Sequence, residues 1–288
     1  MFQSFTSNSD SSNSKKRLAD LRAAMNENGI DWFLVPHADE HQNEYLPERA
    51  ERLAWLTGFS GSAGFALIGL EQAFVFVDGR YTVQARSQVD TNCFELKDLI
   101  SEGPTEVAKE TISTDQRVGF DPWLLTMAQK ENWEKVATDI QAMLSPTQNL
   151  IDQIWTDQPK PPLGDAWLHS VSYAGRSASE KLVDIRKQIT KDKADYLLLT
   201  DPASIAWAFN LRGNDLIHNP LSLAWSLIPV SDQKPLVFID KRKLDTTNEA
   251  ALGEIAELHP PSDLTTTLQA VSDEKAIHCD PNLVASSL

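Results

Sequence analysis

Few residues in this chain of 288 have types and spacings that could do chemistry. His37-Ala38-Asp39-Glu40-His41 spells H-x-x-E-H, the inverted form of a zinc-peptidase signature. That chemistry needs both histidines one turn apart on a helix, with a third ligand further along the chain. Pro36 closes an apolar run immediately before them, so the segment is expected to turn at a strand end and to hold no metal. The stretch TGFSGSAGFALI carries glycines at 58, 61 and 64. Position 62 is serine where a nucleophile elbow needs glycine, and neither GxGxxG nor a phosphate-loop lysine is spelled. These glycines are expected to turn the chain between a helix and a hairpin, where positive φ is wanted. Asp78, ahead of Gly79-Arg80-Tyr81, is placed to cap a helix. A polar segment from Asn210 to Pro220 lies between apolar runs, where either ligand contacts or hydrogen-bonded loop structure would account for it. The six histidines are scattered, and no Ser/His/Asp or Cys/His set can be chosen by spacing.

The bulk properties narrow the classes of function. A formal charge of −15 opposes sequence-independent binding to nucleic acid or to an anionic membrane, both of which need a basic face. Cys93 and Cys279 stand far apart, so neither a disulfide scaffold nor a zinc ribbon is encoded, which fits a reducing cytoplasm. The opening MFQSFTSNSDSSNSKK lacks an apolar signal region, and residues 1–14 are expected to form a disordered polar N-terminus.

The elements that must position any site come in two copies. RLADLRAAMNENGIDWFLVP is answered by KLVDIRKQITKDKADYLLLT, with Arg22 falling on Arg186 and Leu34 on Leu198. Trp55 falls on Trp207, FALI on WSLI, AFVFVDGR on PLVFIDKR, and VGFDP on IHCDP. Five matches in one order indicate an internal duplication. In the first copy the pattern predicts strands at 31–36, 63–69, 73–78 and 117–121, with helices near 16–28, 50–56, 80–89 and 123–142. The short gap between 63–69 and 73–78 calls for a hairpin, so each α/β sheet is mixed rather than purely parallel. DQPKPPLGDAW reads as linker, which places the first domain at 15–160, the linker at 161–178 and the second domain at 179–288. Because PNLVASSL matches the start of a first-copy helix that runs on, the second domain is expected to be truncated.

The phrases GIDWFLVPHADEHQNEYLPERAERLAWLTGFSGSAG, FVDGRYTVQA, YAGRSASEKLVDIR and FNLRGNDLIHNPLSLAWSLI resemble the three-domain Xaa-Pro aminopeptidases of the bacterial type. The resemblance spans about 15 to 288 and implies an α/β fold of two tandem creatinase/prolidase N-terminal-like domains. Each would be a mixed sheet with flanking helices, ribonuclease H-like, followed in the family by a C-terminal pita-bread domain. It further implies hydrolysis of the N-terminal Xaa-Pro bond of a peptide with proline second. Two divalent metal ions, manganese, would do this in that third domain, held by Asp, Asp, His, Glu and Glu. This sequence offers no match for those five ligands, so it is expected to carry no catalytic residue and no metal, and to be inactive alone. The implied partners are the chain's own catalytic domain and a second copy in a homodimer, with no nucleic acid and no membrane. By the same resemblance Arg212, Asp215, His218 and Asn219 would line the substrate entrance or fix the domain contact. A metal-free module binding peptides or histone tails is the alternative reading of the same architecture.

Overall fold

The structure, a computed structural model, describes residues 11–288. The sequence expected to be disordered at 1–14 therefore lies outside the described residues up to residue 10, and a helix already begins at Ser14. The chain divides into two compact units, one of residues 1–39 and 48–160, the other of residues 40–47 and 161–288.

The first unit begins with α1 (Ser14–Glu27), β1 (Trp32–Pro36) and α2 (Arg52–Thr57). The hairpin β2 (Gly64–Gly69) and β3 (Ala73–Val77) follows, then α3 (Thr82–Gln88), β4 (Glu95–Asp98) and α4 (Pro104–Thr111). β5 (Arg117–Phe120), α5 (Met127–Asp139), β6 (Met143–Pro146) and α6 (Leu150–Ile154) complete it. The sheet order is β4-β3-β2-β1-β5-β6, antiparallel across β1–β2–β3 and parallel elsewhere. Alternation along a strand sends neighbouring side chains to opposite faces. Phe33 and Val35 accordingly join one apolar core with Leu18, Leu21, Met25 and Leu53, while Trp32 and Leu34 join another with Val118 and Trp133. Both faces of the sheet are covered, which is why β1 is buried at all five positions.

The second unit contains β7 (Ala166–Leu168), α7 (Val171–Ala174), α8 (Ala178–Lys191), β8 (Tyr196–Leu199), α9 (Pro202–Phe209) and β9 (Leu211–Gly213). It continues through β10 (Trp225–Pro229), β11 (Leu236–Phe238), α10 (Thr246–Ile255), β12 (Glu257–His259), α11 (Leu264–Ser272) and β13 (Ile277–His278). Its main sheet runs β12-β11-β10-β8-β13. The β8–β10–β11 segment is antiparallel and the flanking pairs are parallel, so the five strands repeat β4-β3-β2-β1-β5 of the first unit in order and sense. Here too alternate residues split between two cores, with Leu227 and Phe238 on one side and Ile228 and Val237 on the other.

Residues 161–178 hold ordered structure in addition to prolines. β7 pairs antiparallel with β9, Trp167 opposite Arg212, and Ser170 caps the single turn of α7. Ser177 then opens α8 with a reciprocal capping box to Glu180.

Candidate functional site

Equivalent helix-to-hairpin connections in the two units set the site apart. In the first unit α2 ends on Gly58 in the left-handed region, φ 84°, and its N–H bonds the Ala54 carbonyl. Of the three glycines in TGFSGSAG only Gly58 has positive φ; Gly61 and Gly64 serve by size, because a Cβ at either would meet the Phe59 ring within 3 Å. In the second unit α9 ends on Asn210, also left-handed at φ 54°. Asn210 Oδ1 accepts from Lys181 Nζ at 2.6 Å and its Nδ2 donates to the Arg176 carbonyl at 2.9 Å, which ties the helix end to α8.

Lys181 also donates to the Trp207 carbonyl at 2.8 Å and lies 4.9 Å from the centroid of the Trp207 ring. Burial, with Arg212 and Arg176 nearby, holds its pKa below the ordinary lysine value. Trp207 itself is 52% exposed. Arg212, on β9, is partly exposed and spends one guanidinium nitrogen, Nη1, on the carbonyls of Ala206 and Leu211. Neither Lys181 nor Arg212 has a carboxylate partner among the described residues.

The loop after β9 separates the remaining residues singled out in the sequence. The Asp215 side chain has 0% exposure and forms an ion pair with Lys243 Nζ at 2.7 Å. Its carboxylate also accepts from the backbone N–H groups of Gly164 and Leu223 and from the Ser222 hydroxyl. A carboxylate closed off in this way cannot line an entrance; Asp215 instead holds the base of the loop, as buried charges do when paired and hydrogen-bonded. His218 is exposed, and its ring meets Tyr45 edge to face at 5.9 Å. Asn219 is partly exposed, and its carbonyl accepts from Leu221 N–H. Ile217, 73% exposed, forms the apolar part of this tip. The structure thus separates the set into a buried anchor, Asp215, a partly exposed cation on β9, Arg212, and a loop tip of His218 and Asn219.

The H-x-x-E-H segment is not helical. His41 is buried, its ring stacks on Trp225 at 4.0 Å, and Nδ1 lies 3.1 Å from the Thr200 carbonyl. Sequence reasoning did not find this aromatic packing, nor Lys243 as the partner of Asp215. The second has a sequence signal: Asp215 and Lys243 both belong to what the second copy alone carries, since the position matching Lys243 in FVDGRY is Tyr81. Asp78 and Asp240 do cap in both copies, each accepting from the N–H two residues on and pairing with Arg80 or Arg242. Among the described residues no three His, Cys, Asp or Glu side chains gather as a possible metal site. Among them also, no helix is long and apolar enough to cross a membrane.

Residues 17–154 and 157–288 each match a family model described as the creatinase/prolidase N-terminal domain. The chain is 37% identical over 249 residues to a probable Xaa-Pro aminopeptidase P of Paracoccidioides lutzii, covering 85% of this chain and 40% of that protein. It is 34% identical over 269 residues to the corresponding Coccidioides posadasii protein, covering 92% and 44%. The chain therefore spans less than half the length of these relatives. Among solved structures, the X-prolyl aminopeptidase of Caenorhabditis elegans, described as a cytosolic enzyme with a di-nuclear active site, superposes with a TM-score of 0.87. That match has 25% identity over 95% of this chain and 48% of that one.

Proposed function

Because the chain belongs to the creatinase/prolidase N-terminal domain family, with one domain in each half, we propose that it is the non-catalytic N-terminal region of an Xaa-Pro aminopeptidase. The observation that carries this is the match to the Caenorhabditis elegans enzyme across 95% of this chain and only 48% of that one. In this reading the full-length protein hydrolyses the N-terminal Xaa-Pro bond of a peptide in the cytoplasm. Two divalent metal ions, manganese, would sit in a further, C-terminal domain, where they supply a metal-activated water. Among the described residues no donor set for such ions gathers.

The role left to this region is support of assembly, including a homodimer, and of substrate access. Arg212 would fix the contact with the catalytic domain, while His218 and Asn219 at the loop tip would border the substrate entrance. Asp215 would act at one remove by holding that loop in place through Lys243. The test is kinetic. The full-length protein should cleave an Xaa-Pro peptide in a chelator-sensitive way, and the 288-residue chain should not. His218→Ala in the full-length protein should raise KM with a smaller change in kcat. Chelator-sensitive turnover by the 288-residue chain would overturn the non-catalytic assignment.

A further inference from the structure

Each copy departs from the common frame by one insertion. The offset between matching residues falls from 164 at Leu34 and Leu198 to 152 at Trp55 and Trp207, so the first copy holds 12 further residues between β1 and α2. The offset then rises to 160 at Ile68 and Ile228, so the second copy holds 8 further residues between α9 and β10. Between the insertions the frame is the same. Arg17 donates to the Trp55 carbonyl at 2.6 Å and lies 4.8 Å from the centroid of its ring, as Lys181 does for Trp207 at 2.8 and 4.9 Å.

The fold brings the two insertions together. Residues 40–47, from the first, pack with the second unit. His41 fixes one end of this segment through Trp225 and the Thr200 carbonyl, and Leu46 and Pro47 are buried at the other. Between these anchors Tyr45, 44% exposed, presents its ring to His218 of the second insertion, edge to face at 5.9 Å and 75°. The loop backbone is tied below its tip, Gly213 N–H donating to the Pro220 carbonyl and Asp215 N–H to that of Leu221. The His218 side chain, by contrast, has no hydrogen bond or ion pair among the described residues, and Tyr45 is its ring partner.

We propose that Tyr45 is a positioning residue: the two insertions form one element, in which its ring sets the orientation of His218 toward the peptide. This rests on the reading that His218 borders the substrate entrance of a longer aminopeptidase. An imidazole on an exposed loop samples several rotamers, and selecting one before the peptide arrives removes an ordering cost from binding. An edge-to-face aromatic contact biases such a population by about 2- to 10-fold, which sets the size of the effect on KM.

In the full-length protein Tyr45→Ala should raise KM for an Xaa-Pro peptide by about 2- to 10-fold with a smaller change in kcat. Tyr45→Phe, which keeps the ring, should keep the wild-type KM, and Tyr45→Ala should add nothing to His218→Ala. In the 288-residue chain the imidazole proton resonances of His218, assigned by their loss in His218→Ala, should move in Tyr45→Ala and hold their place in Tyr45→Phe. Additive losses in the double variant, a Phe variant as impaired as the Ala variant, or unmoved resonances would each overturn the proposal. Moved resonances with KM unchanged in both Tyr45→Ala and His218→Ala would sink the entrance reading and leave the ring contact standing.

Discussion

The helix-to-hairpin connection is short in the first unit, residues 58–63, and long in the second, residues 210–224. Both leave their helix through a left-handed residue, Gly58 in one and Asn210 in the other, so the geometry of the turn is common. What differs is what the side chains are used for. The first connection is packed shut by Phe59 against Gly61, Gly64 and Tyr81. The second is held open by polar anchors, with Asp215 bonded at its base and Ile217 and His218 exposed at its tip. Duplication fixes the frame, and the extra polar loop can then diverge without disturbing the sheet.

Four tests, using five substitutions, would break or sharpen this contrast. The largest effect is expected for Asp215→Ala, which strands the Lys243 ammonium in a buried site and should destabilise the second unit by about 3–5 kcal/mol. Urea unfolding of the variant measures it, and a loss below about 1 kcal/mol would mean that the loop anchor has been overrated. Next, truncating the paired tryptophans should give unequal losses in the 288-residue chain. Trp55→Ala, which loses the stack on Trp155, should cost about 2–3 kcal/mol, against about 1 or less for the half-exposed Trp207→Ala. Equal losses would show that the cation contact, common to both, carries the stability.

A third test concerns Glu51, at the start of α2, whose pKa burial pushes up to about 7. The folded-state pKa lies above the ordinary 4.5, so folding favours the protonated form. The resulting stabilisation is complete below the unfolded-state value and is lost as pH rises through the folded one. Glu51→Gln should therefore leave stability near pH 4.5 unchanged, flatten its fall between 4.5 and about 7, and gain about 2 kcal/mol at pH 8. The matching position of the second copy is Ala203, so this slope should belong to the first unit alone. The smallest effect is expected for Asn210→Gly, which keeps the left-handed turn but loses two side-chain hydrogen bonds, at about 1 kcal/mol.

The parts legible in the sequence were those governed by local pattern. The hairpin of β2 and β3, the buried β1, the division into two α/β repeats and the caps at Asp78 and Asp240 follow from alternation, turn length and the position of a carboxylate. β4 and β6 escaped notice because ELKD and MLSP are half-exposed edge strands with no apolar period. β7 was hidden by the prolines before it; its existence depends on β9 as a partner, a long-range fact. Asp215 was marked for its polarity, but its burial is decided by Lys243, 28 residues on, and by the backbone of Gly164. Polarity in a loop says that a group needs partners, without saying whether those partners are solvent, substrate or the protein itself.

Residues 40–47 carry a consequence for how the chain is made. His41 finds its stacking partner Trp225 and the Thr200 carbonyl only in the second unit, with which this segment packs. On the ribosome it must wait until 159 further residues, through Thr200, have been synthesised before even the hydrogen-bonding carbonyl exists. A cleavage at the boundary near residue 160 would leave the second unit without residues 40–47, which are encoded with the first. The order in which the two repeats are translated is therefore not the order in which this stretch can complete its folding.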